Sequence, residues 1–243
     1  MNPFVYDLDI DSRLLSLLKG KRVAIVGPAA YLTGKGHGKE IDQYDVVIRP
    51  NAFSVPLKAQ TDYGRRTDIM FHNMGTPWMP GLKEQVKENP DALKSLKMVV
   101  CPVIKADHSE VNFMSWPDTH ISACATNFDQ FNKDNIPFWW VGVANYKKMY
   151  REVGCQPYSG IITLLIASKC YPSELLLTGF DFYLGSGLYY EDYLAPVDSY
   201  QERSNKGGSH GSGCNSKNLE CAKRWENTES FSKVDSHLRN LLT

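Results

Sequence analysis

Arg22-Val23-Ala24-Ile25-Val26-Gly27 is the stretch on which the fold turns. It is a short apolar run closed by glycine, bounded before by Lys19-Gly20-Lys21 and after by Pro28. A run of this length without polar alternation reads as a strand buried on both faces, which is the pattern of a parallel sheet. The same pattern returns downstream. Asp45-Val46-Val47-Ile48-Arg49, Thr67-Asp68-Ile69-Met70-Phe71, Lys97-Met98-Val99-Val100-Cys101, Phe138-Trp139-Trp140-Val141 and Glu174-Leu175-Leu176-Leu177-Thr178-Gly179 each read as a strand.

Between them lie segments of helical character. Residues 9–19 carry Leu and Ile at helical spacing, residues 81–96 are rich in Lys, Glu, Ala and Leu, and residues 160–169 are long and apolar enough for a buried helix. A last helix is expected from about Asn218 to Leu242. Residues 105–135 read as loops with one helix. Strands that alternate with helices predict an α/β fold: a single Rossmann-like, mostly parallel sheet with helices on both faces. With 243 residues, no internal repeat and no low-complexity linker, the chain is expected to be one domain. Residues 184–216, rich in Gly, Ser, Tyr and Asn, read as a flexible lid loop toward the C-terminus.

Composition narrows the function. Lys plus Arg and Asp plus Glu both total 27, so the net charge is zero and a general nucleic-acid binder is not expected. The six cysteines form no CxxC pair and are too sparse for a disulfide scaffold; reduced, buried thiols are expected, with one or two disulfides as the alternative in a secretory lumen. The histidines show no metal spacing, and no metal site is expected. There is no signal peptide and no membrane span, so the chain as written reads as soluble and cytoplasmic, with no integral membrane segment; a chain trimmed of an anchor would read the same way.

The candidate site residues sit where strands end and helices begin. Gly27-Pro28-Ala29 follows the first strand, where open α/β sheets bind ligands. The G-x-G-x-x-G fingerprint is absent. A P-loop is absent too, because Gly36 follows Lys35 where Ser or Thr is required. Asn51 and Asn73 end the second and third strands, and each can serve a base or ribose or simply form a turn. Pro157-Tyr158-Ser159-Gly160 opens the 160–169 helix. Free amides, a hydroxyl and a glycine there suit a phosphate or carboxylate; the plain alternative is Ser159 as a helix cap. Phe180-Asp181-Phe182-Tyr183, with Tyr189 beyond it, offers phenols that can donate hydrogen bonds to a departing phosphate, or merely pack. His210, in Gly207-Gly208-Ser209-His210-Gly211-Ser212-Gly213, is a candidate general base or an exposed loop residue.

Taken in order, these pieces resemble the sialyltransferases. Residues 23–51, VAIVGPAAYLTGKGHGKEIDQYDVVIRPN, resemble the large sialyl motif of the eukaryotic family, above all at Gly38-Lys39-Glu40-Ile41-Asp42 and at the Val-Ile-Arg-x-Asn ending. Residues 157–180, PYSGIITLLIASKCYPSELLLTGF, resemble the small motif. Phe71-His72-Asn73-Met74-Gly75, the stretch from Ser159-Gly160 to Tyr183, and Ser209-His210 with Ser216-Lys217-Asn218 are also similar to bacterial lipooligosaccharide sialyltransferases.

The resemblance implies an inverting, metal-independent transfer of sialic acid from CMP-sialic acid to a hydroxyl of a glycan or glycolipid acceptor, with no cofactor. By position, Gly27, Asn51, Asn73, Ser159 and Gly160 would line the CMP-sugar site, flanked by Pro28, Ala29, Tyr158, Phe180 and Asp181. Tyr183 and Tyr189 would stabilise the departing phosphate, and His210 would take the acceptor proton. If an anchor has been removed, the resemblance makes the Golgi lumen the alternative compartment. The chain departs from the family at Pro28, where Asn is usual, in having no cysteine in the large-motif segment, and in lacking the C-terminal H-x-x-x-x-E signature. A CMP-Kdo transferase, a non-catalytic CMP- or nucleotide-binding α/β protein, a nucleotide-dependent enzyme of another class and an unrelated α/β protein are the rival readings.

Overall fold

The computed structural model describes residues 7–72, 74, 79–102, 126, 127, 129, 130, 132, 135–183, 189, 190 and 212–243. Among these, seven strands form one sheet: β1 (Arg22–Val26), β2 (Val46–Pro50), β3 (Ile69–Phe71), β4 (Met98–Cys101), β5 (Phe138–Trp140), β6 (Glu174–Thr178) and β7 (Ser232–Val234). Their order is β5-β4-β3-β2-β1-β6-β7, and every neighbouring pair is parallel. The described helices are α1 (Ser12–Leu18), α2 (Gly38–Ile41), α3 (Gln60–Tyr63), α4 (Met79–Glu88), α5 (Pro90–Lys94), α6 (Gly142–Val153), α7 (Ser159–Ser168), α8 (Ser212–Thr228) and α9 (Ser236–Leu242).

The strand residues point alternately to two sheet faces. Val23, Ile25, Val46, Ile48, Ile69, Phe71, Leu175 and Leu177 pack with α1, α6, α7, α8 and α9. On the opposite face, Ala24, Val26, Val47 and Leu176 meet Ile41 of α2, while Met70 and Val99 meet Leu82 of α4 and Leu93 of α5. The fold is therefore the α/β sheet with helices on both faces that the sequence predicts. Helix α7 is buried from Gly160 through Ser168. That is why it is apolar all round and carries no amphipathic stripe.

Several elements differ from the sequence reading. The 81–96 segment is two helices. Pro90 has no amide to continue α4, and Asn89 caps the new start by accepting from the Ala92 N–H at 3.1 Å. The expected last helix is α8 and α9 with β7 between them, because Ser-Lys-Val is short and half polar, as an edge strand can be. Helix α6, ended by Gly154 at φ 76°, lies in a segment for which the sequence suggested no element. Of the expected 184–216 lid, residues 212–216 are helical, as the start of α8; residues 184–188 and 191–211 lie outside the described residues.

The chain steps outward from β1 to β5, then returns to place β6 on the other side of β1. That reversal makes the carboxyl ends of β1 and β6 the crevice where an open α/β sheet binds its ligand.

Candidate active site

Two strand ends close on each other at this crevice. The Gly27 N–H donates to the Thr178 carbonyl at 2.8 Å, and the Ala29 N–H donates to the Gly179 carbonyl at 2.9 Å. A Cβ on Gly27 would stand 2.2 Å from the Gly179 carbonyl oxygen and 2.9 Å from Cε1 of Phe180. A Cβ on Gly160 would stand 2.2 Å from that same Phe180 atom. The glycine after β1 and the glycine in the first turn of α7 thus meet on either side of one ring. Neither can carry a side chain while Phe180 stays where it is.

The start of α7 enters this crevice. Its N-cap is Tyr158, whose side chain makes no capping bond, so Ser159 is the first helical residue and does not cap. The first bond of the helix runs from the Ile162 N–H to the Tyr158 carbonyl at 2.9 Å. The amides of Ser159, Gly160 and Ile161 have no partner among the described residues, as the first turn of an uncapped helix leaves them. Such a turn attracts anions through its N–H groups and its dipole.

Three tyrosines lie beside it. The Tyr158 ring meets Tyr183 edge-on, with centroids 5.3 Å apart, and the Tyr183 and Tyr189 hydroxyls are 2.6 Å apart. Tyr189 is held to the end of β1 by an antiparallel bridge to Ala29, and the Tyr190 N–H donates to the Pro28 carbonyl at 3.0 Å. Burial holds the Tyr158 phenol well above the ordinary tyrosine range, so it stays protonated at neutral pH. Backbone strain gathers at the same end of the sheet. Asn51, Met74, Phe182 and Tyr183 all have positive φ, between 50° and 66°, just beyond β2, β3 and β6. Non-glycine residues in this region cost about 1–3 kcal/mol each and cluster at functional sites.

The family model of glycosyltransferase family 29 (sialyltransferase) matches residues 12–129. Over this stretch the chain is similar to glycosyltransferase family 29. Solved sialyltransferases share the fold across nearly the whole chain. A mammalian sialyltransferase in complex with Gal-β-1-3GalNAc-ortho-nitrophenol is 15% identical with a TM-score of 0.54, covering 93% of this chain and 74% of its own. The Campylobacter jejuni sialyltransferase CstII in complex with the substrate analogue CMP-3FNeuAc is 16% identical with a TM-score of 0.52, covering 91% and 85%. The monofunctional α-2,3-sialyltransferase Cst-I of the same organism is 18% identical with a TM-score of 0.54, covering 91% and 78%. No curated protein matches the sequence.

At this crevice the structure brings together Gly27, Pro28, Ala29, Tyr158, Ser159, Gly160, Phe180, Tyr183 and Tyr189. Asp181 accepts the Tyr183 N–H at 3.0 Å and so shapes the turn that aims the phenol. Asn51 ends β2, where its N–H donates to the Phe71 carbonyl at 2.7 Å and its φ of 66° suits asparagine. Its neighbour at the end of β3 is His72. Burial lowers its pKa to about 4, and its Nδ1 accepts the Met74 N–H at 3.0 Å. Asn73 and His210 lie outside the described residues.

Much of the large-motif segment is architecture. A Cβ on Gly38 would stand 2.0 Å from the Gln60 carbonyl oxygen. Asp42 accepts the Arg65 and Arg66 amides at 3.0 Å each. Arg49 is buried and spends its guanidinium on the carbonyls of Tyr63 (2.6 Å), Gly64 (3.2 Å) and Arg66 (3.1 Å).

Sequence reasoning missed a brace behind the crevice. The Tyr31 hydroxyl donates to Asp235 at 2.5 Å and accepts the Gly179 N–H at 2.7 Å, and its ring stacks on His237 with centroids 3.9 Å apart. Asp235 also accepts the Thr178 hydroxyl at 2.6 Å and caps α9 through the Leu238 N–H at 2.8 Å. The partners are 204 residues apart, and the only local signal was Asp235-Ser236 opening a helix.

No disulfide joins Cys101, Cys155, Cys170, Cys214 and Cys221 to one another, and burial pushes Cys155, Cys170 and Cys221 up to about 12. Among the described residues no helix is long and apolar enough to cross a membrane, and no cluster of three His, Cys, Asp or Glu side chains is placed to hold a metal ion.

Proposed function

We propose that this chain transfers sialic acid from CMP-sialic acid to a hydroxyl of a glycan or glycolipid, with the start of α7 as the seat of the donor's anionic groups. The observation that carries the reading is the set of amides of Ser159, Gly160 and Ile161 at the switch point, without a partner among the described residues, beside the Tyr183–Tyr189 phenol pair. The match of residues 12–129 to the sialyltransferase family model supports the chemistry. The solved CstII structure is in complex with a substrate analogue, CMP-3FNeuAc.

In this reading the acceptor oxygen attacks the anomeric carbon of the sialyl group as its bond to the phosphate oxygen of CMP breaks. The phosphate leaves with the bonding electron pair, and fixed phenols and amides stabilise the charge it gains. These donors are preorganised, so they need neither a metal nor deprotonation. His210 takes the acceptor proton. Gly27, Pro28, Ala29, Asn51 and Asn73 line the donor at the ends of β1, β2 and β3.

A thermal-shift panel tests the donor assignment. CMP is expected to raise the melting temperature above UDP, GDP, NAD and S-adenosylmethionine at equal concentration, because only a ligand of the native state stabilises it. A larger shift with any of the other four would overturn the assignment.

A further inference from the structure

Helix α8 reaches back across the sequence to the seat and grips it at two points. The side-chain oxygen of Asn218 accepts the Tyr158 N–H at 2.9 Å. Its side-chain nitrogen donates to the Cys214 carbonyl at 2.8 Å and, at 3.4 Å each, to the Gln156 carbonyl and the Cys155 sulfur. The Asn218 side chain is fully buried, so leaving its amide unmet would be costly. One turn earlier, Asn215, also buried, accepts the Tyr158 hydroxyl on its side-chain oxygen. Tyr158 is thus held at its backbone and at its phenol by one helix. Ser159, Gly160 and Ile161 follow it directly, and its ring sits edge-on to Tyr183.

We propose that Asn215 and Asn218 are positioning residues for sialyl transfer, setting the amide seat and the Tyr183 phenol in one register through Tyr158. The inference rests on the donor reading above. Asn218 acts on the backbone, so it governs how well the seat is formed before the donor arrives. Asn215 acts on the Tyr158 ring, and through it on a phenol that works only as the phosphate departs. The two residues therefore divide between donor affinity and turnover.

Purified Tyr158→Phe, Asn215→Leu, the double variant and Asn218→Ala are compared with the unaltered chain in CMP binding and in CMP release from CMP-sialic acid. Tyr158→Phe and Asn215→Leu each break the same hydrogen bond. Turnover is expected to fall about tenfold in both, with the CMP dissociation constant within threefold of the unaltered chain and the double variant no slower than the slower single. Asn218→Ala is expected to raise the CMP dissociation constant about tenfold. A purely structural role would lower the melting temperature and leave turnover per folded molecule unchanged, and that result would overturn the proposal. So would single effects that multiply in the double variant. If Asn218→Ala does not fold, the other three variants still decide. Failure of the unaltered chain to bind CMP would remove the donor reading and this inference with it. CMP binding together with unchanged turnover in Tyr158→Phe and Asn215→Leu would remove this inference alone.

Discussion

Two turns in this chain gather backbone amides, and their fates differ. At Gly34-Lys35-Gly36 the amides turn onto the carboxylate of Asp62, with the Gly36 N–H donating at 2.8 Å, and together they hold that carboxyl below the usual range. At Ser159-Gly160-Ile161 the amides open the first turn of α7 with no partner among the described residues. The first carries two glycines and a lysine but not the P-loop pattern. The structure shows it already occupied by the chain's own anion. A turn that supplies its own counter-charge is architecture, whereas one that leaves its donors open at a topological switch point can take a ligand. If that division holds, substitutions around the α7 turn affect turnover and substitutions around the Asp62 turn affect stability.

The largest expected effect is at His210. Replacing it with alanine should lower turnover about 10²–10⁴-fold, the usual contribution of a general base, with CMP still bound. Steady-state rates beside CMP titration check this, and unchanged turnover would remove His210 as the base. Next is Tyr183→Phe, which removes one phenol of the pair proposed to stabilise the departing phosphate. A loss of about 10² in turnover with little change in CMP affinity is expected. An unchanged rate would assign the Tyr183–Tyr189 pair to packing alone.

His72 sharpens the comparison through pH. It is buried and neutral at the end of β3, with its pKa lowered to about 4 against 6.5 in the unfolded chain. The unfolded state therefore binds the proton first. Stability should fall on acidification from about pH 6.5 toward 4, by at most ~1.4 kcal/mol per unit, and level off below. Asparagine at position 72 can still accept the Met74 N–H but cannot titrate. Denaturant midpoints measured across this window should lose the His72 slope in His72→Asn; a slope that persists would place the titration elsewhere.

How much of this was legible from sequence depends on the distance over which each signal acts. The sheet was legible because Arg22–Val26 and its counterparts are buried on both faces, and such strands announce themselves as unbroken apolar runs. β7 was not, because an edge strand of Ser232–Val234 is half exposed and needs no such run. The start of α7, the proposed seat, was legible as Ser159-Gly160 opening an apolar helix. Its grip by Asn215 and Asn218 was not, since asparagine within a helical stretch looks the same whether it bonds water or a turn 57 or 60 residues away. Gly160 was read as room for an anion, yet the space its missing side chain leaves is filled by Phe180. The glycine serves packing, and the proposed anion seat rests on the amides.

The smallest effect tests the occupied turn directly. Asp62→Ala strips the Gly34–Gly36 amides of their acceptor, much as removing a helix cap does, and should cost about 1–2 kcal/mol of stability. Because the carboxyl is held below its unfolded value, its contribution is present above the ordinary carboxylate pKa and is lost as pH falls through the lower, folded one. The difference in unfolding free energy between the two proteins should therefore be constant near neutrality and shrink only in acid. Turnover in Asp62→Ala should stay within about twofold at a temperature where both proteins are folded, because that carboxylate completes a turn and the donor never enters it. A loss of CMP binding in this variant would mean that the two turns are not separate in function, and the division between occupied and open amides would fall.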